Sequence, residues 1–254
     1  MMDYMPRQPR DLTAMPRGGP DASCLDRLLW TGRQEYLDRD DVDESVKRSV
    51  IRALDWTGEV FGNHDKFTKT ALDEVADVPD PRILELGAGH GGLSRRLLEW
   101  HPTARLTVTD VDPASVAAIA AGDLGTHPRA TVRQMDATAL DAADGEFDLA
   151  VFALSFHHLP PEAAARVIAE GTRAAGKLLI IDLPRPPALL HVLRLATMLP
   201  WAPVVPFVHD GVISSLRAYS PSALRALAAC ADPPVDLELR GGLFSPQVAV
   251  AWRR

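Results

Sequence analysis

Cysteine is nearly missing: Cys24 and Cys230 are the only two in 254 residues. So far apart, they exclude a disulfide framework and a cysteine metal cluster. No apolar run reaches the roughly 20 residues of a membrane span, and no stretch near the start has the form of a signal peptide. Positive charge is short as well. With 27 Lys and Arg against 34 Asp and Glu the net charge is −7, which argues against non-specific nucleic-acid binding and leaves room only for a local basic patch. Tyrosine occurs three times, at Tyr4, Tyr36 and Tyr219. No internal repeat is present. What remains is ordinary: 46% hydrophobic and 24% charged residues can bury the core of one large domain, or of one domain with a helical cap. A soluble, cytoplasmic protein is expected.

The chain is organised around residues 82–99. Ile83, Leu84 and Leu86 suit a buried parallel strand. Gly87, Gly89, Gly91 and Gly92 form a turn almost without side chains. Leu93, Leu97 and Leu98 then repeat with helical period. Strand, glycine turn and helix together offer a ligand bare backbone and the free N–H groups of a helix start. The glycines fit two templates. Gly87, Gly89 and Gly92 satisfy G-x-G-x-x-G, the dinucleotide fingerprint. Glu85, Gly87, Gly89 and Gly91 satisfy acidic-x-G-x-G-x-G. Glu85 separates them, because a carboxylate is awkward beside a pyrophosphate but suits a cationic ligand. Its bland alternative is a strand-end Glu paired with a neighbouring Arg.

Before this centre, residues 1–21 read as a flexible arm with four prolines and adjacent glycines. Residues 22–79 read as a helical cap or lid. Val46, Val50, Ile51 and Leu54 stripe one helix, and Phe67, Ala71, Leu72 and Val75 stripe another, with breaks at Gly58, Gly62 and Asn63. The aromatic stretch with Trp56, His64 and Phe67 is a candidate lid; plain helix packing is the alternative. After the centre, strands are expected at 105–109, 131–135, 147–153 and 177–182, alternating with helices, which means a parallel sheet with right-handed crossovers. Asp110 ends the second strand, about 20 residues beyond the glycines, where an acid can take ribose hydroxyls. Asp112 and Pro113 cap the next helix. Residues 183–210 form an apolar, proline-rich insertion carrying Trp201, to be covered by an acceptor, a twin subunit or the cap. Val235 to Leu239 and Val248 to Trp252 alternate as a closing strand pair.

Glu85-Leu-Gly-Ala-Gly-His-Gly, Asp110, Asp136-Ala137 and Phe147-Asp148 leading to His157-His158-Leu159 together resemble class I S-adenosylmethionine-dependent methyltransferases. The resemblance covers about residues 80–254. It implies a Rossmann-like α/β fold with a seven-stranded sheet, mostly parallel with an antiparallel last strand. It also implies S-adenosylmethionine as cofactor and S-adenosylhomocysteine as product. Carried over residue by residue, Glu85, Gly87, Ala88, Gly89, Gly91, Asp110, Val111, Asp136 and Ala137 would hold the cofactor, Asp136 at the adenine amino group. The His157-His158-Leu159 segment and Asp210-Gly211 through Ser220 look like the small-molecule branch that includes ubiquinone- and menaquinone-biosynthesis methyltransferases.

Two rival enzymes and one non-catalytic class share parts of this pattern. A short-chain nicotinamide oxidoreductase needs a Tyr followed four residues later by Lys, but Gln8, Asp40 and Ala223 stand there. An amino-methylating nucleic-acid enzyme has an aromatic residue where Val235 follows Asp232-Pro233-Pro234. A non-catalytic cofactor-binding relative would bind without turnover. Methyl transfer leaves the protein to align, desolvate and supply a base where the acceptor needs one. The candidates for that base are His157 first, then His158 and His209. No metal is expected, because two adjacent histidines do not readily face one pocket and no third ligand is evident nearby. The insertion and the cap favour a small apolar or aromatic acceptor, such as a phenol, quinone precursor, polyketide or lipid-like metabolite. Nucleic acid and stable membrane insertion are not expected, and a homodimer through the insertion is compatible with the pattern.

Overall fold

The computed structural model describes residues 12–60, 62–242 and 245–254. Strand β1 (Arg82–Leu86) is buried on both faces from Ile83 onward. Leu84 and Leu86 point into a core shared with Ala150, Phe152, Leu178, Ile180 and two helices, α7 (Pro161–Ala174) and α10 (Pro221–Ala228). Ile83 points the other way, into a core with Leu149, Val151, Leu179 and α4 (Gly92–Trp100). The remaining strands are β2 (Arg105–Asp110), β3 (Ala130–Gln134), β4 (Phe147–Ala153), β5 (Ala175–Asp182), β6 (Val235–Arg240) and β7 (Gln247–Arg253). They form one seven-stranded sheet in the order β3-β2-β1-β4-β5-β7-β6. β7 runs antiparallel to β5, as the expected last strand should. The order reverses beside β1, between β1 and β4, and there the sheet opens for a ligand.

The cap consists of α1 (Cys24–Leu28), a single 3-10 turn (Tyr36–Asp38), α2 (Glu44–Val60) and α3 (Asn63–Asp73). α2 runs straight through Gly58, so that residue is no break. The ring of His64 occupies the space a side chain at Gly58 would need. The insertion forms α8 (Ala188–Met198) and α9 (Pro206–Arg217). Pro200 and Pro203 lie in the turn between them and Pro206 starts α9, where a missing N–H costs nothing. Buried Arg185 ties α1 to the end of α9. Its Nε bonds Asp26 at 3.0 Å, and its other nitrogens reach the carbonyls of Leu29 at 2.6 Å and Leu216 at 2.9 Å.

The expected flexible arm needs correction over residues 12–21; residues 1–11 lie outside the described part. Arg17 lies 4.2 Å over the ring of Tyr219 and donates to the carbonyl of Leu159 at 2.8 Å. Ser220 donates through its backbone to Arg17 at 2.9 Å and through its hydroxyl to Gly18 at 2.6 Å. Long-range polar contacts, invisible in composition, hold this proline-rich stretch against α10. Among the described residues no helix is long and apolar enough to cross a membrane.

Candidate active site

The glycine loop is pinned to β2 by Ala88, whose N–H donates to the carbonyl of Thr109 at 2.9 Å. Gly87 and Gly89 both take left-handed backbone, at φ +62° and +56°. They need glycine for different reasons. A Cβ at Gly87 would sit 2.8 Å from the ring of Phe152, so that position faces the core side of β4. A Cβ at Gly89 would meet nothing within 4 Å. Gly89 therefore presents bare backbone to open space, where a ligand can approach. Gly91 is the N-cap of α4.

Asp110 closes this loop from β2. Its carboxylate accepts from the N–H of Gly89 at 2.9 Å and of Asp112 at 3.0 Å. A carboxylate has about four acceptor positions, so capacity for hydroxyl donors remains. Asp112 caps α5 (Pro113–Ala121), as expected, accepting from Ser115 N–H at 2.9 Å. Val111, between the two acids, is 61% exposed, an apolar face left uncovered beside the loop. Asp136 makes an Asx turn, its Oδ1 accepting from the N–H and hydroxyl of Thr138, both at 2.8 Å. Ala137 packs partly buried against the core. Glu85 is buried and accepts from the hydroxyl of Ser94 on α4, so its partner is a serine and not an arginine. Burial pushes its pKa up to about 7, against the opposing effect of the Ser94 bond.

Beyond β4 the chain turns sharply. Leu154 adopts φ +56°, a conformation strained for leucine, and its N–H donates to the carbonyl of Ile181 at 2.8 Å. Ser155 leans back on the glycine loop, its hydroxyl 3.3 Å from the carbonyl of Gly87. A 3-10 turn (Phe156–His158) follows. Phe156 is buried and sets its ring edge-on to Phe152.

That turn brings both histidines to carboxylates from distant parts of the chain. Asp182, at the end of β5, accepts from the N–H of His157 at 2.7 Å and from its Nδ1 at 2.8 Å. On the ring's other side, Nε2 lies 3.3 Å from Glu35 Oε1, contributed by the cap. Glu35 also accepts from the Ser214 hydroxyl of α9 at 2.6 Å. His158 places Nδ1 at 3.1 Å from Asp38 and Nε2 at 4.0 Å from Glu35. Arg217 stands 3.6 Å from Asp38 and donates to the carbonyl of His158 at 2.9 Å. Asp210 holds the cap turn through the N–H of Tyr36 at 2.8 Å, and His209, bonded to Asp210 at 2.9 Å, stacks on the Tyr36 ring.

This geometry changes the histidine assignments. His157 is 3% exposed and wedged between two carboxylates. Burial disfavours its proton, but Asp182 and Glu35 outweigh burial and raise its pKa to about 9. A group that holds its proton at neutral pH, with both ring nitrogens engaged, is no general base; the preference for His157 is therefore corrected. His158 keeps 28% of its side chain exposed. His209 lines a separate cavity of about 470 Å³ with Gly32, Arg33, Gln34 and Arg39. Adjacent histidines are not expected to face one pocket readily or to have a third ligand nearby, yet both approach Glu35.

The lid candidates do not converge. Phe67 is buried in the core beneath β1 and α4, and His64 packs against α2. Trp56 and Trp201 are exposed. Glu35, Asp38 and Asp182 were not singled out in the sequence. Asp182 carries the same signal as Asp110, an acid ending a parallel strand. Glu35 and Asp38, in a short loop between helices, carry no such signal.

Residues 83–176 match a family model described as a methyltransferase domain. Demethylmenaquinone methyltransferase of Thermus thermophilus is 27% identical over 195 residues, covering 70% of this chain and 86% of that protein. The plantazolicin methyltransferase BpumL, solved with SAH, aligns at TM-score 0.59 and 12% identity over 84% of this chain and 92% of its own. Magnesium protoporphyrin IX methyltransferase from Synechocystis PCC 6803, also with SAH, aligns at TM-score 0.54 and 18% identity over 86% and 91%. Sheet order, glycine loop and these likenesses agree. Residues 83–176 form a methyltransferase domain, and the chain is an S-adenosylmethionine-dependent methyltransferase, with S-adenosylmethionine as its cofactor.

Proposed function

We propose that the chain methylates a small acceptor with a flat, apolar body, of the phenol or quinol kind. The observation that carries the cofactor half is the open space at Gly89 beside the carboxylate of Asp110. In this reading the methionine end lies along Gly87-Ala88-Gly89-Gly91 near Glu85. Asp110 takes the ribose hydroxyls, Val111 covers one adenine face, and Asp136 with Ala137 borders the adenine edge.

The acceptor half rests on apolar side chains left exposed on two neighbouring elements. Leu28 and Trp30 stand on the cap, and Leu189, Leu193 and Trp201 on the insertion, with α1 packed on α8. Such a surface suits a greasy ring better than a charged or nucleic-acid acceptor. The Thermus relative, named for a quinone substrate, supports the same class. When bound, S-adenosylmethionine would supply an electrophilic methyl group, taken in line by an acceptor lone pair, with its sulfur leaving as a neutral thioether and the acceptor proton passing to solvent. The chain supplies alignment and exclusion of water.

The test incubates the chain with methyl-labelled S-adenosylmethionine and separate phenol, quinol, fatty-acid, amine and RNA acceptors. Label in the phenols or quinols is expected. Label only in amines or RNA refutes the apolar-acceptor reading.

A further inference from the structure

We propose that Glu35, His157 and His158 form a binding site for one zinc-class divalent cation. Each offers a ligand atom, and the three atoms lie within 4.8 Å of one another. Glu35 Oε1 and His157 Nε2 are 3.3 Å apart, and Glu35 Oε2 and His158 Nε2 4.0 Å. The first separation is long for a charge-assisted hydrogen bond, which runs about 2.7–2.9 Å. It equals the edge of a tetrahedron with metal–ligand bonds of about 2.0–2.1 Å, roughly 3.3 Å.

The second, independent observation is how the two rings are held. His157 Nδ1 sits on Asp182 at 2.8 Å and His158 Nδ1 on Asp38 at 3.1 Å. Both rings therefore give Nδ1 to a carboxylate and turn Nε2 toward Glu35. That is the arrangement in which a carboxylate sets the tautomer of a metal-binding histidine. Charge points the same way. Glu35, Asp38 and Asp182 face one another across two imidazoles, with Asp210 close to Glu35 and Arg217 as the cation at Asp38. A dication balances this surplus.

Three protein ligands of the His2Glu type leave one coordination position open. Glu35 and His157 are buried, so the partly exposed side of the site is that of His158. An acceptor hydroxyl at the open position would lose its proton more readily. That last role rests on the methyl-transfer reading; the binding site itself does not.

The probe is Co²⁺, titrated into the tag-free, chelator-treated full chain and followed by its visible absorption, with Zn²⁺ competition and metal analysis after dialysis. About one equivalent is expected, with the intense visible bands of four- or five-coordinate cobalt, displaced by Zn²⁺. Glu35→Gln and His158→Ala should each weaken binding by about 10-fold or more, and Asp182→Asn by about 10-fold or more through loss of ring orientation. His64→Ala, remote from the cluster, should bind as the parent does. Calorimetry with S-adenosylmethionine on the same samples reports whether each variant is folded, so loss of metal is separable from loss of fold or of methyl transfer. No cobalt band in a chain that still binds S-adenosylmethionine overturns the site. So does binding that survives the Glu35→Gln, His158→Ala double variant.

Discussion

The glycine-loop side and the histidine side of the molecule are built in contrasting ways. On the glycine-loop side the working groups sit close together in sequence. Gly89 and Asp110, joined by a hydrogen bond, are 21 residues apart, and Glu85 and Ser94 only nine. On the histidine side, His157 meets Glu35 across 122 residues, and Glu35 meets Ser214 across 179. The first side is one βαβ unit, and its geometry follows from local turn and strand rules. The second is a knot of charges closed only when cap, sheet and insertion come together. The local device needs one stretch of chain to form, whereas the long-range knot needs three brought together.

The largest test breaks the knot. Asp182→Ala leaves the buried imidazolium of His157 without its closest partner and strips acceptors from the N–H groups of His157 and Leu183. In the metal-free chain it should cost about 3–5 kcal/mol in denaturant unfolding, the range for a broken buried ion pair. A loss below about 1 kcal/mol would show that the knot is not holding the two halves together.

Next in size is the contrast between neighbouring glycines. Gly89→Asn keeps a residue that tolerates left-handed backbone, so its side chain should fill the open space and weaken S-adenosylmethionine binding by about 100-fold, some 2.7 kcal/mol, with little change in Tm. Gly87→Asn meets Phe152 instead and should lower Tm as well. Calorimetry and thermal melts on the pair separate the two; equal effects on binding and melting would erase the distinction.

A smaller effect concerns Glu85. Its folded-state pKa, about 7, lies above the ordinary value of 4.5, so the folded chain holds the proton longer than the unfolded one. The sign follows: this group's contribution to stability is full below about pH 4.5 and declines as pH rises toward 7 and above. Glu85→Gln should flatten that decline between pH 5 and 8 in denaturant melts. An unchanged pH slope refutes the assignment.

The smallest change is Leu154→Asn. Leucine at φ +56° carries strain of about 1–2 kcal/mol, and its side chain is 38% exposed, so little packing is lost. Unfolding should become harder by about 0.5–1 kcal/mol. If turnover falls while stability rises, the strained turn positions the groups that follow it.

Much of the fold was legible beforehand. The five parallel strands, the strand-ending acid Asp110 and the N-cap at Asp112 are encoded by periods and residue types that act within one or two turns of chain. The break assigned to Gly58 failed because packing of His64 outweighs a glycine's modest helix cost. Phe67 shows the same limit: helical period places it on an apolar face, but only packing decides whether that face covers a substrate or a core.

Local signals in the sequence are enough for the seven-stranded sheet and the glycine loop beside it, because hydrophobic period, glycine and a strand-end acid act locally. Tertiary structure alone decided what the histidines are. Adjacent residues on an isolated turn have no preferred partners. Glu35, Asp38 and Asp182 become their neighbours only after cap and sheet fold together, and a carboxylate within about 3 Å of a buried imidazole outweighs the cost of burying its charge.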